Sequence, residues 1–197
     1  MHLKALLFDL DGTIVDSYKD IGLHLNRTLE LFGLEPVELE KVKSMIGGGA
    51  KELLKRFFSD GLLEEAIKVF REFYMQKPVI HTKPYGGVKE LLDYAKGKGF
   101  VLAVVSNKME ELSVKILKEL GIYDYFSLVV GGDTYPEKKP SPLPVIETLR
   151  KLKVEPKEAL MVGDTSADIR AGRLAGTLTG LALWGYVRLE EEKPDYT

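Results

Sequence analysis

Apolar residues fall into two patterns along this chain. Leu3 to Leu10 is a short, nearly continuous apolar run, and similar runs recur at Phe100–Val105 (FVLAVV), Leu128–Val130 (LVV), Ala159–Val162 (ALMV) and Thr177–Leu183 (TLTGLAL). Unbroken runs of this length predict strands buried on both faces. Between them, apolar residues recur at helical spacing. Val88, Leu91, Leu92 and Ala95 share one face before Gly97 and Gly99; Leu112, Ile116, Leu117 and Leu120 share another, closed by Gly121. Pro144 opens a third helix with Val145, Ile146, Leu149 and Leu152. Strands alternating with helices predict an α/β domain built on a doubly wound parallel sheet.

The alternation fails between Asp16 and Pro84, where only helical patterns appear. Ile21, Leu25, Thr28, Leu29 and Phe32 are spaced as a helix that stops at Gly33. Val37–Met45, a glycine cluster, Leu53–Phe58 and Leu62–Met75 follow, the last with Ile67, Phe70, Phe73 and Tyr74 inward. Pro78 and Pro84–Gly87 punctuate the return. The expected organisation is an α/β core from residues 1–15 and 85–197, with a small helical domain, 16–84, inserted after the first strand. The terminal EEEKPDYT stops where a further strand and helix are expected.

Composition narrows the functions open to such a fold. The 197 residues carry Lys+Arg 28 against Asp+Glu 30, a formal net charge of −2, and no long basic stretch. Nucleic acid and an anionic membrane surface are therefore not expected partners. The absence of cysteine excludes disulfides, thiolate metal sites and a cysteine nucleophile. Asp9 and Asp11 interrupt the first apolar run, so no secretory leader is expected, and no window of about 18 uncharged apolar residues predicts a membrane span. A cytoplasmic protein fits these features. Abundant Lys and Glu with few Asn and Gln resemble the usage of some thermophile proteins.

The polar residues at the strand ends carry the chemistry, because open parallel sheets bind ligands at the carboxyl ends of their strands. The first strand ends in Asp9-Leu10-Asp11-Gly12-Thr13, and the strand at Phe100–Val105 ends in Ser106-Asn107-Lys108. Leu128–Val130 leads to Gly131-Gly132-Asp133 and then Lys138-Lys139-Pro140. Ala159–Val162 ends in Gly163-Asp164-Thr165, with Asp168 four residues beyond Asp164. Several acids, a hydroxyl and a lysine thus converge on one edge. Carboxylate oxygens suit Mg²⁺, one carboxylate can attack phosphorus, and another two residues on can move protons. A lysine and a hydroxyl would neutralise and orient the transferring oxygens. Each piece also has a plainer role: Asp11-Gly12 as a turn, Ser106 as a helix cap, Asp164-Thr165-Ser166 as a helix start.

DLDGT at Asp9–Thr13, SN at Ser106–Asn107, KP at Lys139–Pro140 and GDTSAD at Gly163–Asp168 resemble, in order, the four motifs of the haloacid dehalogenase-like phosphohydrolase superfamily. The helical insertion is similar to the first cap class of that superfamily. The stretch DSYKDIGLHLNRTLELFGL, the GGG cluster and ALWGY look most like phosphoglycolate phosphatases and their relatives. The resemblance implies a Mg²⁺-dependent phosphatase, a monomer or homodimer, acting on a small phosphorylated metabolite through an aspartyl-phosphate. It makes Asp9 the nucleophile and a metal ligand. Asp11 becomes the general acid and base, holding the metal through its carbonyl. Ser106 and Thr13 would bind phosphoryl oxygens, with Gly12 turning the chain and Asn107 nearby. Lys139 would stabilise charge on phosphate and on Asp9, with Lys138 a solvated neighbour. Asp164 would hold the metal, and Asp168 would support it. The general acid at Asp11 favours a phosphatase over a dehalogenase.

Gly47, Gly48 and Gly49 read either as a flexible linker or as bare amides for an anion such as a substrate carboxylate, with Lys51 and Arg56 in reach. His24 reads as an interface residue, while His2 and His81 have no evident partner. Trp184 and Tyr186 are expected to pack behind the site. Sugar-phosphate mutase, pyrophosphatase and nucleotide phosphatase activities share the same motifs. A receiver-type phospho-switch shares the acids, hydroxyl and lysine, but needs neither the insertion nor Asp11.

Overall fold

The computed structural model describes residues 2–186, 189 and 192–197. Five parallel strands form the central sheet: β1 (Ala5–Phe8), β4 (Val101–Val105), β5 (Leu128–Val130), β6 (Ala159–Gly163) and β7 (Leu178–Leu181). Their order is β5-β4-β1-β6-β7, so the chain builds outward from β1 on one side and then crosses to the other. Phe8 pairs with Val104 on one flank and with Val162 on the opposite one, placing the residues after β1 and β6 at the crevice where strand order reverses.

The apolar runs are continuous because both sheet faces are covered. Leu102 and Val104 pack with Val88, Leu92 and Ala95 of α5 (Val88–Gly97) and with Leu117 of α6 (Glu110–Glu119). The alternate residues Ala103 and Val105 pack on the opposite side with Val145 and Leu149 of α7 (Leu143–Leu152) and Ala171 of α8 (Ser166–Ala175). Leu91 and Ile146, expected on buried helix faces, lie at the edges of those stripes and are exposed.

Between β1 and α5 lie four helices: α1 (Tyr18–Leu31), α2 (Leu39–Val42), α3 (Gly49–Leu54) and α4 (Asp60–Gln76). Ile21, Leu25 and Leu29 of α1 share a core with Leu53 and Leu54 of α3 and with Ile67, Phe70 and Tyr74 of α4, a core that also takes in Leu112 and Ile116 of α6. Phe73, expected inward, is half-buried beneath the Arg27 guanidinium, 3.8 Å from the ring centroid. The chain leaves and re-enters through a two-residue antiparallel ribbon, β2 (Val15–Asp16) against β3 (Lys83–Pro84). Asp20 fastens the return: its carboxylate accepts from the Ile80, His81 and Thr82 amides at 2.8–2.9 Å and from the Thr82 hydroxyl at 2.6 Å.

Near the C-terminus, Gly180 bridges in parallel to Tyr196, and the Asp195 carboxylate accepts from the Thr179 amide and hydroxyl, both at 2.8 Å. This segment occupies the free edge of β7, where a further strand was expected. Glu190 and Glu191 of the acidic run lie outside the described residues. No helix among the described residues is long and apolar enough to cross a membrane.

Candidate active site

Three carboxylates and an ammonium meet at the β1/β6 crevice. The Asp9 amide donates to Val162 O at 2.9 Å, which carries the sheet ladder one residue past β1 and fixes the Asp9 side chain at the strand end. Asp164 leaves β6 directly. Asp168 stands in the first turn of α8 in a capping box: its Oδ2 accepts from the Thr165 amide at 2.9 Å, and Thr165 Oγ1 accepts in return from the Asp168 amide. Its Oδ1 accepts from Lys139 Nζ at 2.5 Å, and the same ammonium lies 3.1 Å from Asp9 Oδ1. One oxygen from each of Asp9, Asp164 and Asp168 lies within 4.8 Å of the others, and all three residues are buried.

Glycines make this closeness possible. Gly12 adopts φ +83°, a left-handed conformation, and a Cβ there would fall on the Asp164 carboxylate. Gly185 passes the other side of Asp164 just as closely. The Asp164 oxygens accept from the Thr13 hydroxyl at 3.2 Å and the Tyr186 amide at 2.9 Å.

The cluster is overcharged. Burial, reinforced by the neighbouring Asp168 and Asp11 charges and opposed by Lys139, pushes the Asp9 carboxyl up to about 7. Burial together with Asp9 and Asp168 pushes Asp164 up to about 8. Burial alone would lower the Lys139 ammonium, but Asp168 and Asp9 outweigh it and hold the proton on. Asp9 Oδ1, though beside that ammonium, accepts no well-directed hydrogen bond. Three carboxylates against one ammonium, with a buried carboxylate oxygen unbonded, fit a hard divalent cation such as Mg²⁺.

Asp11 points elsewhere. Its Oδ1 accepts from the Ser17 hydroxyl at 2.5 Å, and its Oδ2 lies 3.2 Å from Lys108 Nζ. The Lys108 ammonium also donates to the Tyr74 hydroxyl at 3.3 Å and stands 4.4 Å from that ring's centroid. Asp9, Asp11, Ser106, Asn107 and Lys108 all open into one pocket walled on the far side by the helical segment, including Met45, Ile46, Leu53 and Phe70.

The structure distributes the remaining expected residues unevenly. Ser106 faces the pocket, accepting from the Lys108 amide at 3.2 Å rather than capping α6, whose first amide is taken by Asp133. The Thr13 hydroxyl is engaged by Asp164. Asn107 spends both amide hydrogens on Gly47 O and Lys139 O, each at 2.9 Å, while its Oδ1 is buried and unbonded. Gly47 and Gly48 meet the core through their carbonyls, the latter accepting from Lys138 Nζ at 2.6 Å. Lys138 is thus a bridge to the helical segment and not a free surface charge. Gly49 lines the pocket.

Trp184 and Tyr186 do not pack behind the site. Trp184 is 52% exposed and donates its indole N–H to Thr13 O at 3.1 Å, while the Tyr186 hydroxyl accepts from the Ser17 amide at 2.6 Å. Both therefore brace the Asp9–Ser17 loop. Ser17, Lys108 and Tyr74 carry no separate motif signal. Lys108 had one available hint, its place directly after Ser106-Asn107 at a strand end.

The sequence profile of the haloacid dehalogenase-like hydrolases matches residues 6–182. The chain belongs to that family. A phosphoglycolate phosphatase of Aquifex aeolicus is 54% identical over 195 residues, covering 99% of this chain and 92% of that one. One from Chromobacterium violaceum is 39% identical over 193 residues, covering 94% and 87%. The crystal structure of a predicted phosphoglycolate phosphatase from Haemophilus somnus superposes with a TM-score of 0.91 at 32% identity, covering 100% of this chain and 93% of that one. The parallel sheet and its flanking helices are thus those of a haloacid dehalogenase-like hydrolase, and the chain is an enzyme of that hydrolase family.

Proposed function

We propose that this chain is a Mg²⁺-dependent phosphatase of 2-phosphoglycolate acting in the cytoplasm, with residues 16–84 as a cap over the core. One observation carries the reading: two aspartates of the same loop are held in opposite chemical states of readiness. Asp9 presents an unbonded oxygen beside Lys139, whereas Asp11 is oriented by Ser17 and Lys108 toward the same pocket. That separation suits a nucleophile and a proton carrier.

Asp9 attacks the phosphorus and becomes the aspartyl-phosphate as the ester bond breaks. Asp11 gives its proton to the departing glycolate oxygen, then takes one from the water that hydrolyses the acyl phosphate. Lys139 offsets charge on Asp9 and the phosphoryl oxygens, and Ser106 donates to one of them. Asp9, Asp164 and the Asp11 carbonyl would hold the metal, which when bound neutralises phosphoryl charge. Asp168 holds Lys139, and Thr13 holds Asp164 in place. The cap walls exclude water from the pocket.

The test is kcat/KM across phosphorylated metabolites with Mg²⁺ present and after chelation. 2-Phosphoglycolate should rank first and activity should vanish reversibly with the metal. No turnover of any phosphate ester would refute the phosphatase reading; a better nucleotide or sugar phosphate would replace the substrate.

A further inference from the structure

We propose that Lys108 is the residue that recognises the substrate's carboxylate, which makes the enzyme selective for phosphate esters bearing a carboxylate on the carbon next to the ester oxygen. This rests on the phosphatase reading above and names the group that chooses its substrate.

Two cations line the pocket, Lys108 and Arg71. Arg71 is exposed at the cap side, whereas the Lys108 side chain is only 8% exposed. Lys139 is not among the residues lining this pocket and is committed to Asp9 and Asp168. Lys108 is therefore the buried pocket cation that is not bound to the nucleophile. An ammonium has three N–H donors. The Tyr74 hydroxyl takes one and Asp11 faces a second, leaving a third for a ligand.

Position limits what that ligand can be. Lys108 Nζ is 3.2 Å from the Asp11 carboxylate, the group placed to protonate the leaving oxygen. An anion on Lys108 then sits within reach of that oxygen, and a carboxylate one carbon away from it satisfies this. The walls beyond are Ile21, Met45, Ile46, Leu53, Phe70 and Leu112, which offer side-chain partners to none of a sugar's hydroxyls. Burying those unpaired would be costly. Tyr74 comes from the cap and Lys108 from the core, so the carboxylate is read where the two meet.

The test compares 2-phosphoglycolate with ethyl phosphate, which replaces the carboxylate by a methyl group, in the wild type and in Lys108→Met and Lys108→Arg. The wild type should favour 2-phosphoglycolate. In Lys108→Met both esters should lose turnover, because Lys108 orients Asp11, and the preference for 2-phosphoglycolate should fall by about a further 10- to 100-fold, the worth of a charge-assisted hydrogen bond, mainly through KM. Lys108→Arg should regain part of the preference. A wild-type circular dichroism spectrum shows that the variant is folded. Equal losses on both esters would overturn the proposal and make Lys108 a positioning residue for Asp11. An unchanged preference, or a wild type with none, would overturn it while leaving the phosphatase reading intact. A wild type inert toward both esters and toward the wider panel would remove both.

Discussion

Lys139 Nζ lies 3.1 Å from Asp9 Oδ1, and neither side chain is more than 8% exposed. The same ammonium is the hydrogen-bond donor to Asp168, so one cation ties the end of β1 to the first turn of α8. Replacing it with Met leaves two buried carboxylates unpaired. Lys139→Met should reduce kcat by at least about 100-fold, as loss of a charge-stabilising group does. It should also destabilise the metal-free protein by about 3 kcal/mol in urea unfolding. Full activity would remove Lys139 from the site chemistry.

Protons and Mg²⁺ should compete at Asp9 and Asp164. Both carboxyls sit above their ordinary value, at about 7 and about 8. Between the ordinary value and these, the folded metal-free chain holds protons that the unfolded chain has released, so this contribution to stability is present at low pH and fades as pH rises through that window. Mg²⁺ binds the ionised forms and must displace those protons. The rise in Tm caused by saturating Mg²⁺ should therefore be larger at about pH 8, the top of the window, than at about pH 5.5, inside it. A rise independent of pH would contradict the assignment.

Asp20 should behave in the opposite sense. Burial pushes its carboxyl up, but its hydrogen bonds to Thr82, Ile80 and His81 more than offset this and leave it below the ordinary value. Its contribution is present above the unfolded value and lost as pH falls through the folded one. Asp20→Ala should cost about 2 kcal/mol at neutral pH, with the gap to wild type narrowing in acid. Equal gaps at both pH values would show that Asp20 contributes by packing alone.

Lys138 and Asn107 hold the loop before α3 through Gly48 O and Gly47 O. Lys138→Met should accelerate amide exchange across Ile46–Ala50 and raise KM several-fold, with the core amides of β1 and β6 unchanged. Exchange identical to wild type would mean that the bond does not restrain the loop.

The strands could be read directly because their alternate residues, such as Val104 and Ala103, enter two different cores, leaving unbroken apolar runs. The acids were legible because they interrupt such runs at the sheet edge. Other features had no periodic signal. β2 and β3 are two residues each, too short for alternation, yet they form the ribbon joining the helical segment to the α/β core. Trp184 and Tyr186 look like core aromatics, and only the return of residues 182–186 beside Asp164 turns them onto the Asp9–Ser17 loop. The tail offers no apolar pattern, since Asp195 pairs with β7 through its carboxylate. Lys108 has only the hint of its place directly after Ser106-Asn107 until α4 brings the Tyr74 hydroxyl to it.

In the proposed reaction Asp9 carries the phosphoryl group. The direct measurement is rapid acid quenching of the wild-type enzyme during turnover of 2-phosphoglycolate radiolabelled in its phosphoryl group, with Mg²⁺, followed by peptide mapping. Hydroxylamine-sensitive label is expected on the peptide that contains Asp9, and none in Asp9→Asn. Product released with no label on that peptide, or label on another residue, would contradict it.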